Sequence, residues 1–269
     1  MNFGFGKIIV VIFLFSFCAN GYAQGKKSVP YKISNRQAYG LDTLEIDSLL
    51  HLGLDINAGY KDKVTLLDLA IYAGDYNEVK FLLHHGANID QQNGFSSTPL
   101  MIATEKGLRN DSIAELLINS GADVNILSEF GEFALLNTLG FGFKDQPPNP
   151  KIFKMLVEHG ANYNYVCHSC RERSLFIICC QYGTPEMLQV LINEKVDINQ
   201  SDGDGMTGLM NACVEGNVEN VRFLLKQPSI DLQKKDARSL GLIDYAVTGK
   251  NEEVIRMVSE AILKAGDTK

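Results

Sequence analysis

The chain repeats itself about every 34 residues, and that period limits what it can fold into. Related segments recur down the sequence: "HLGLDIN" (51–57), "HHGANID" (84–90), "NSGADVN" (119–125), "EHGANYN" (158–164), "NEKVDIN" (193–199) and the looser "QPSIDLQ" (227–233). Their last residues, Asn57, Asp90, Asn125, Asn164, Asn199 and Gln233, are spaced by 33, 35, 39, 35 and 34 positions. A fixed period in this range marks a stacked architecture in which each unit buries its apolar face on the next.

Two apolar segments precede each closing loop. One is a triplet just before it, such as "FLL" (81–83), "LLI" (116–118), "MLV" (155–157), "VLI" (190–192) and "FLL" (223–225). The other stands about fifteen residues earlier: "TLLDLAIYAG" (65–74), "TPLMIATEKG" (98–107), "FALLNTLGFG" (133–142), "SLFIICCQYG" (174–183), "TGLMNACVEG" (207–216) and "GLIDYAVTGK" (241–250). The pattern predicts two short helices per unit, joined by a turn and followed by a loop. Thr65, Thr98, Ser174 and Thr207 are placed to cap the first helices, and Pro99 stands where proline is tolerated, at the first helical position. Gly86, Gly121 and Gly160 stop the second helices by supplying a left-handed residue. Helices of roughly eight to ten residues do not persist alone in water, so stacking must hold them.

These segments resemble the ankyrin repeat family. "TPLMIA" (98–103) is similar to the family's Thr-Pro-Leu-His-x-Ala, and "SGADVN" (120–125) to its closing loop. The resemblance covers residues 41–265 and implies an all-α solenoid of stacked helix–turn–helix units with hairpin-like loops projecting along one side. Residues 41–57 supply an N-terminal half-repeat, about six repeats follow, and 266–269 form a tail. Copy three departs from the pattern with an insertion, "GFKDQPPNP" (142–150), and no Thr-Pro opening. Copy four carries Lys195 in place of the glycine, and copy six ends in a more polar helix that suits a terminal cap.

The repeat also disposes of the first candidate for chemistry. His51, His84, His85 and His159 fall in the last turn of a second helix, where an imidazole can meet the helix's negative end. As metal ligands they lack a partner, because equivalent positions in adjacent repeats lie on the order of 10 Å apart. Asp68 and Asp244 stand where many ankyrin repeats carry histidine. They belong to the first and last complete units, too far apart to share a substrate, and a local hydrogen bond near the helix start is expected for each.

Cys179, Cys180 and Cys213 align with small buried positions and read as compact apolar residues. "CHSC" (167–170) lies in an enlarged loop, ten residues from Asn164 to Ser174 where the others span eight. In an exported protein Cys167 and Cys170 are expected to close a small disulfide that stiffens this loop. A thioredoxin-type centre would need a βαβ context, and a zinc knot from Cys167, His168 and Cys170 would need a fourth ligand; neither is evident. "DGDG" (202–205) departs from a calcium loop at Met206 and Gly208 and reads as a tight turn. No nucleophile elbow, phosphate-binding loop or His-Glu-x-x-His is present in the sequence. Neither catalysis nor a cofactor or metal is expected.

The N-terminal "MNFGFGKIIVVIFLFSFCANGYAQ" has one lysine, Lys7, an apolar run from Ile8 to about Phe17, and small residues before Gln24. That is the form of a signal peptide over 1–23 with cleavage after Ala23; an uncleaved anchor or a buried helix are the other readings. Cys18 raises a lipoprotein option, against which bulky Phe17 speaks. Ten apolar residues are too few to span a bilayer. Residues 24–40 are polar and form a flexible arm. The mature chain is therefore expected outside the cytoplasm, in a periplasm or secreted, without membrane insertion. With 25 basic and 32 acidic side chains, net −7 and pI near 5.3, a nucleic-acid partner is not expected.

The expected function is non-catalytic binding of a partner protein, by a monomer, through the loops and the concave face of the first helices. Tyr60, Phe95, Phe130 and Tyr165 are the aromatic anchors offered by the loops, with Phe95 and Phe130 at the same place in adjacent ones. Two other readings stand beside it: an inhibitor or immunity-type protein capping an exported enzyme or toxin, and a thiol-redox or metal-dependent protein using Cys167 and Cys170.

Overall fold

The structure, a computed structural model, describes residues 47, 50, 51, 53, 55–59, 61–105, 110–139 and 147–266. The expected signal peptide and arm, most of the expected half-repeat, Tyr60, most of the 142–150 insertion and residues 267–269 lie outside these. The chain forms two compact units that divide between Phe130 and Gly131.

Among the described residues, the first unit holds two helix pairs: α1 (Leu66–Ala73) with α2 (Tyr76–His84), and α3 (Pro99–Thr104) with α4 (Asp111–Asn119). The second holds four: α5 (Ala134–Asn137) with α6 (Pro150–Glu158), α7 (Leu175–Tyr182) with α8 (Pro185–Asn193), α9 (Gly208–Glu215) with α10 (Val218–Leu224), and α11 (Leu242–Gly249) with α12 (Glu252–Gly266). Within each unit, first helices pack on first helices and second on second, as α1 on α3, α7 on α9 and α9 on α11. Strand is confined, among the described residues, to a two-residue pair, β1 (Val166–Cys167) and β2 (Arg173–Ser174), in the enlarged loop.

The caps act where the sequence places them. Side chains of Thr65, Thr98, Ser174 and Thr207 accept from the backbone N–H three residues on. Copy three has Phe133 at this position, with no side-chain cap, and its first helix shrinks to the four residues of α5. Gly86, Gly121 and Gly160 take φ of 88°, 88° and 85°. Lys195 is forced into the same region, φ 62°. A Cβ there is strained, so Lys195→Gly is expected to stabilise the protein by roughly 0.5–1 kcal/mol, read as a higher urea midpoint. An unchanged or lower midpoint would contradict this.

Asparagine joins the repeats. Asn217 accepts from the Asn220 N–H, capping α10, while its Nδ2 donates to Gln181 and Gly183 carbonyls of the preceding pair. Asn110 likewise caps α4 and donates to the Gly74 carbonyl. The amide is suited to this because one end accepts and the other donates. The closing loops use the same device. Asn57 Oδ1 accepts from Asn88 N–H, and Asn199 Oδ1 from Asp231 N–H, each bond crossing to the next repeat. The recurring asparagine is thus the register mark of the stack. Close approach is the other requirement: a Cβ on Gly249 would sit 2.1 Å from the Cys213 carbonyl oxygen, and one on Gly208 2.5 Å from Cys180 Sγ.

Candidate functional site

Each loop is a finger built on a common plan. In four of the fingers the fifth residue back from the helix cap is a buried polar side chain that accepts from backbone N–H groups. Asn93 Oδ1 accepts from Phe95 and Ser97, Asp202 Oδ1 from Asp204 and Met206, and Asp236 Oδ1 from Arg238 and Leu240. Ser128 accepts from Phe130. The second residue before the cap turns the chain with positive φ, as at Ser96 (57°), Glu172 (55°) and Gly205 (83°). The tip is the third residue before the cap. In three of the fingers the tip carbonyl accepts an N–H from the next finger: Asp62 from Gly94, Arg171 from Gly203, Asp204 from Ala237. These bonds join the Asp62 and Phe95 fingers in the first unit and the Arg171, Asp204 and Arg238 fingers in the second. The Phe95 and Phe130 fingers are joined by Gln92 Nε2, which donates to the Leu127 carbonyl.

What the row displays differs between the units. In the first the tips read Asp62, Phe95, Phe130. Phe95 is 58% exposed and Phe130 75%, and Leu127, in the same finger as Phe130, is 49% exposed. The phenylalanines do not fold beneath their fingers. In the second unit the tips read Arg171, Asp204, Arg238, and an ion pair of 3.1 Å joins Arg171 to Asp204. Arg238 donates through Nε to Asp236 Oδ2, which also accepts from the Tyr245 hydroxyl at 2.6 Å. That hydroxyl leads the set of hydrogen bonds holding the Asp236 carboxyl down at about 2.

The other aromatic candidates fall elsewhere. Tyr165 sits nine residues before its helix cap, at the base of the finger. It is half-buried, its ring packs 5.0 Å from that of Phe133, and its hydroxyl donates to the Gly131 carbonyl. Packing inside the second unit accounts for this residue. Tyr60 lies outside the described residues.

In the "CHSC" finger the sulfurs of Cys167 and Cys170 lie at bonding distance, with Cα atoms 5.1 Å apart. They bracket a 3-10 turn (His168–Cys170) between β1 and β2, with Cys167 buried. This is a hairpin end, and it lacks the helix N-terminus that lowers a redox cysteine's pKa. Arg173 steadies the finger, donating to the Cys170 carbonyl and to Gln181, which in turn donates to Glu215. Cys179, Cys180 and Cys213 are fully enclosed. Burial pushes all three thiols up, Cys213 to about 12, which leaves them inert.

The histidines behave as helix ends. His85 Nδ1–H donates to the Phe81 carbonyl and His159 Nδ1–H to that of Met155, each at 2.8 Å; a carbonyl can only accept, so the tautomer is set. His51 and His85 both approach the Asp47 carboxylate, at 3.6 and 3.9 Å. No group of three or more His, Cys, Asp or Glu is arranged to hold a metal among the described residues. Asp68 and Asp244 accept from the backbone N–H of Thr65 and Gly241, the local role expected of them. The "DGDG" stretch is the Asp202 turn already described.

Within each unit, helix pairs stacked on one another and joined by hydrogen-bonded fingers define a repeat protein. The family model for ankyrin repeats (3 copies) matches residues 39–128 and 145–236, and the chain belongs to the ankyrin repeat family. Among curated proteins it is similar to "Ankyrin repeat and SOCS box protein 6" of Pongo abelii, 34% identical over 124 residues. The human protein of the same description is 33% identical over 124 residues. Either match covers 45% of this chain and 29% of the relative, so the chain spans under a third of those proteins. Among solved structures, the human ASB11 ankyrin repeat domain aligns with TM-score 0.65 at 18% identity, covering 84% of this chain and 96% of that one. An ankyrin repeat domain from Acinetobacter baumannii AYE aligns with TM-score 0.58 at 26% identity, covering 72% and 96%.

The organising residues Asn93, Ser128, Asp202 and Asp236 were not singled out by the sequence reading beyond the Asp202 turn. A signal was available: each stands five residues before a helix cap.

Proposed function

We propose that the protein is an exported, non-catalytic binding module whose first-unit finger row holds a partner protein. Ankyrin repeats are in general protein–protein interaction modules, and the family sets this mode without naming the partner. One observation carries the reading: Phe95 and Phe130, at the same tip position, are both presented to solvent on rigid turns. Exposed aromatics on pre-organised loops are the usual anchors of an interface, each worth about 2 kcal/mol or more on truncation. The apolar tips are flanked by Leu127 and by the Asp62 tip, which suits a partner with an apolar groove. The oxidised Cys167–Cys170 pair belongs to the same reading, as a brace for a finger two residues longer than its neighbours.

The double variant Phe95→Ala/Phe130→Ala is expected to unfold at the wild-type temperature and to bind a partner captured by wild type at least about thirtyfold more weakly. If it folds normally and holds every such partner with undiminished affinity, the row is not the binding site. Export is tested separately, by sequencing the N-terminus of the chain recovered from its host. A start at Gln24 supports it, and a retained Met1 overturns it.

A further inference from the structure

The outer face of the last repeat has the make-up of a stacking surface. The second residue of the first helix is Leu67, Leu100, Leu135, Phe176 and Leu209 in successive repeats, and each is at most 1% exposed. Four residues after these stand Ile71, Thr104, Leu139, Cys180 and Cys213, at most 8% exposed. In α11 these places belong to Ile243 and Val247, which are 36% and 56% exposed. The fourth residue of the second helix follows suit: Leu188 and Val221 are fully buried, whereas Ile255 of α12 is half-buried. The polar surface of α12 that suits a terminal cap does not extend to α11, which keeps the apolar residues an interior repeat uses.

The charges that flank this face, one on α11 and one just past its end, are self-complementary. Asp244 and Lys250, both exposed, stand three residues to either side of Val247. Two copies of α11 laid antiparallel with Val247 on a two-fold axis set each Lys250 opposite the other's Asp244. A parallel pairing sets like charges together. Antiparallel packing also aligns the helix dipoles favourably. The face continues the contact by which α9 packs on α7 and α11 on α9.

We propose that two copies of this chain associate tail to tail, α11 against α11, burying Ile243, Val247 and Ile255 in an isologous interface. Sedimentation of the chain, purified with its native N-terminus, is expected to show a monomer–dimer equilibrium between about 1 and 100 μM, the concentration dependence that mass action requires. Val247→Asp is expected to weaken dimerisation at least about thirtyfold with unchanged helicity and melting, since the side chain is exposed in the monomer. Lys250→Glu should weaken it less. Val247→Cys is expected to give a covalent dimer under mild oxidation, and Lys154→Cys none. A monomer throughout the range, a dimer indifferent to Val247→Asp, or no cross-link at position 247 would each overturn the proposal.

Discussion

Replacing Asn220 by leucine is expected to cost the fold about 2 kcal/mol, although leucine has the same branched heavy-atom skeleton and is the more apolar residue. Asn220 is fully buried in α10. Its Nδ2 donates to three carbonyls at the end of α7: Cys179 at 3.2 Å, Cys180 at 2.9 Å and Gly183 at 3.0 Å. The last carbonyls of a helix have no partner within it. Here they are enclosed by the next repeat, and one amide reaches all three. Leucine would leave the buried Cys180 oxygen unpaired, at about 1–3 kcal/mol, and the other two one donor short. Its greater hydrophobicity offsets this in part, as does loss of the Asn220 Oδ1, which has no hydrogen-bond partner among the described residues. The Cys179 oxygen keeps one other donor, the Gly183 N–H, and the Gly183 oxygen keeps the Asn217 Nδ2. Asn220→Asp should be worse and grow worse as pH rises, because it turns a carboxylate towards carbonyl oxygens. Urea midpoints would read both effects; a leucine variant within about 0.5 kcal/mol of wild type would show that the α7 end is satisfied some other way.

Why Asn220 escapes a sequence reading is instructive. The residue lies inside an apolar helical pattern, where it reads as an interruption, and its partners are 37 to 41 residues away. Nothing local marks it. The caps are legible because threonine acts on a backbone N–H three residues on, within one turn. The repeat itself is legible because its period is the register of bonds such as Asn57 to Asn88, separated by 31 residues. Aromatic anchors fall between these cases. Phe95, Phe130 and Tyr165 look alike as loop aromatics, yet Phe95 and Phe130 stand three residues before the helix cap and Tyr165 nine. Distance from the cap separates a tip from a base, and the length of the "CHSC" finger obscures it. The exposed face of α11 illustrates a further limit. Ile243 and Val247 match the interior pattern residue for residue, and only the packed repeats show them uncovered.

A second large effect follows from Asp68, the acidic residue at the family's usual histidine position. It is fully buried, with Oδ2 accepting from the Thr65 N–H at 2.9 Å, while Oδ1 has no hydrogen-bond partner among the described residues. Burial pushes its carboxyl from 3.8 up to about 6, against the hydrogen bonds from Thr65 that pull the other way. The fold thus binds the proton more tightly than the unfolded chain does. Asp68 costs nothing below about pH 4, costs progressively more as pH rises towards 6, and exacts its full penalty above that. A shift of about two pH units corresponds to about 3 kcal/mol. Asp68→Asn retains the oxygen that caps Thr65 and removes the charge. Its stability relative to wild type is therefore expected to improve by about 2–3 kcal/mol between pH 4 and pH 7.5, whatever the offset at pH 4. Urea titrations of both proteins at the two pH values measure this directly. Parallel pH profiles would mean that the Asp68 carboxylate is already accommodated in its charged form, and that the finger-side end of α1 is better solvated than its burial implies.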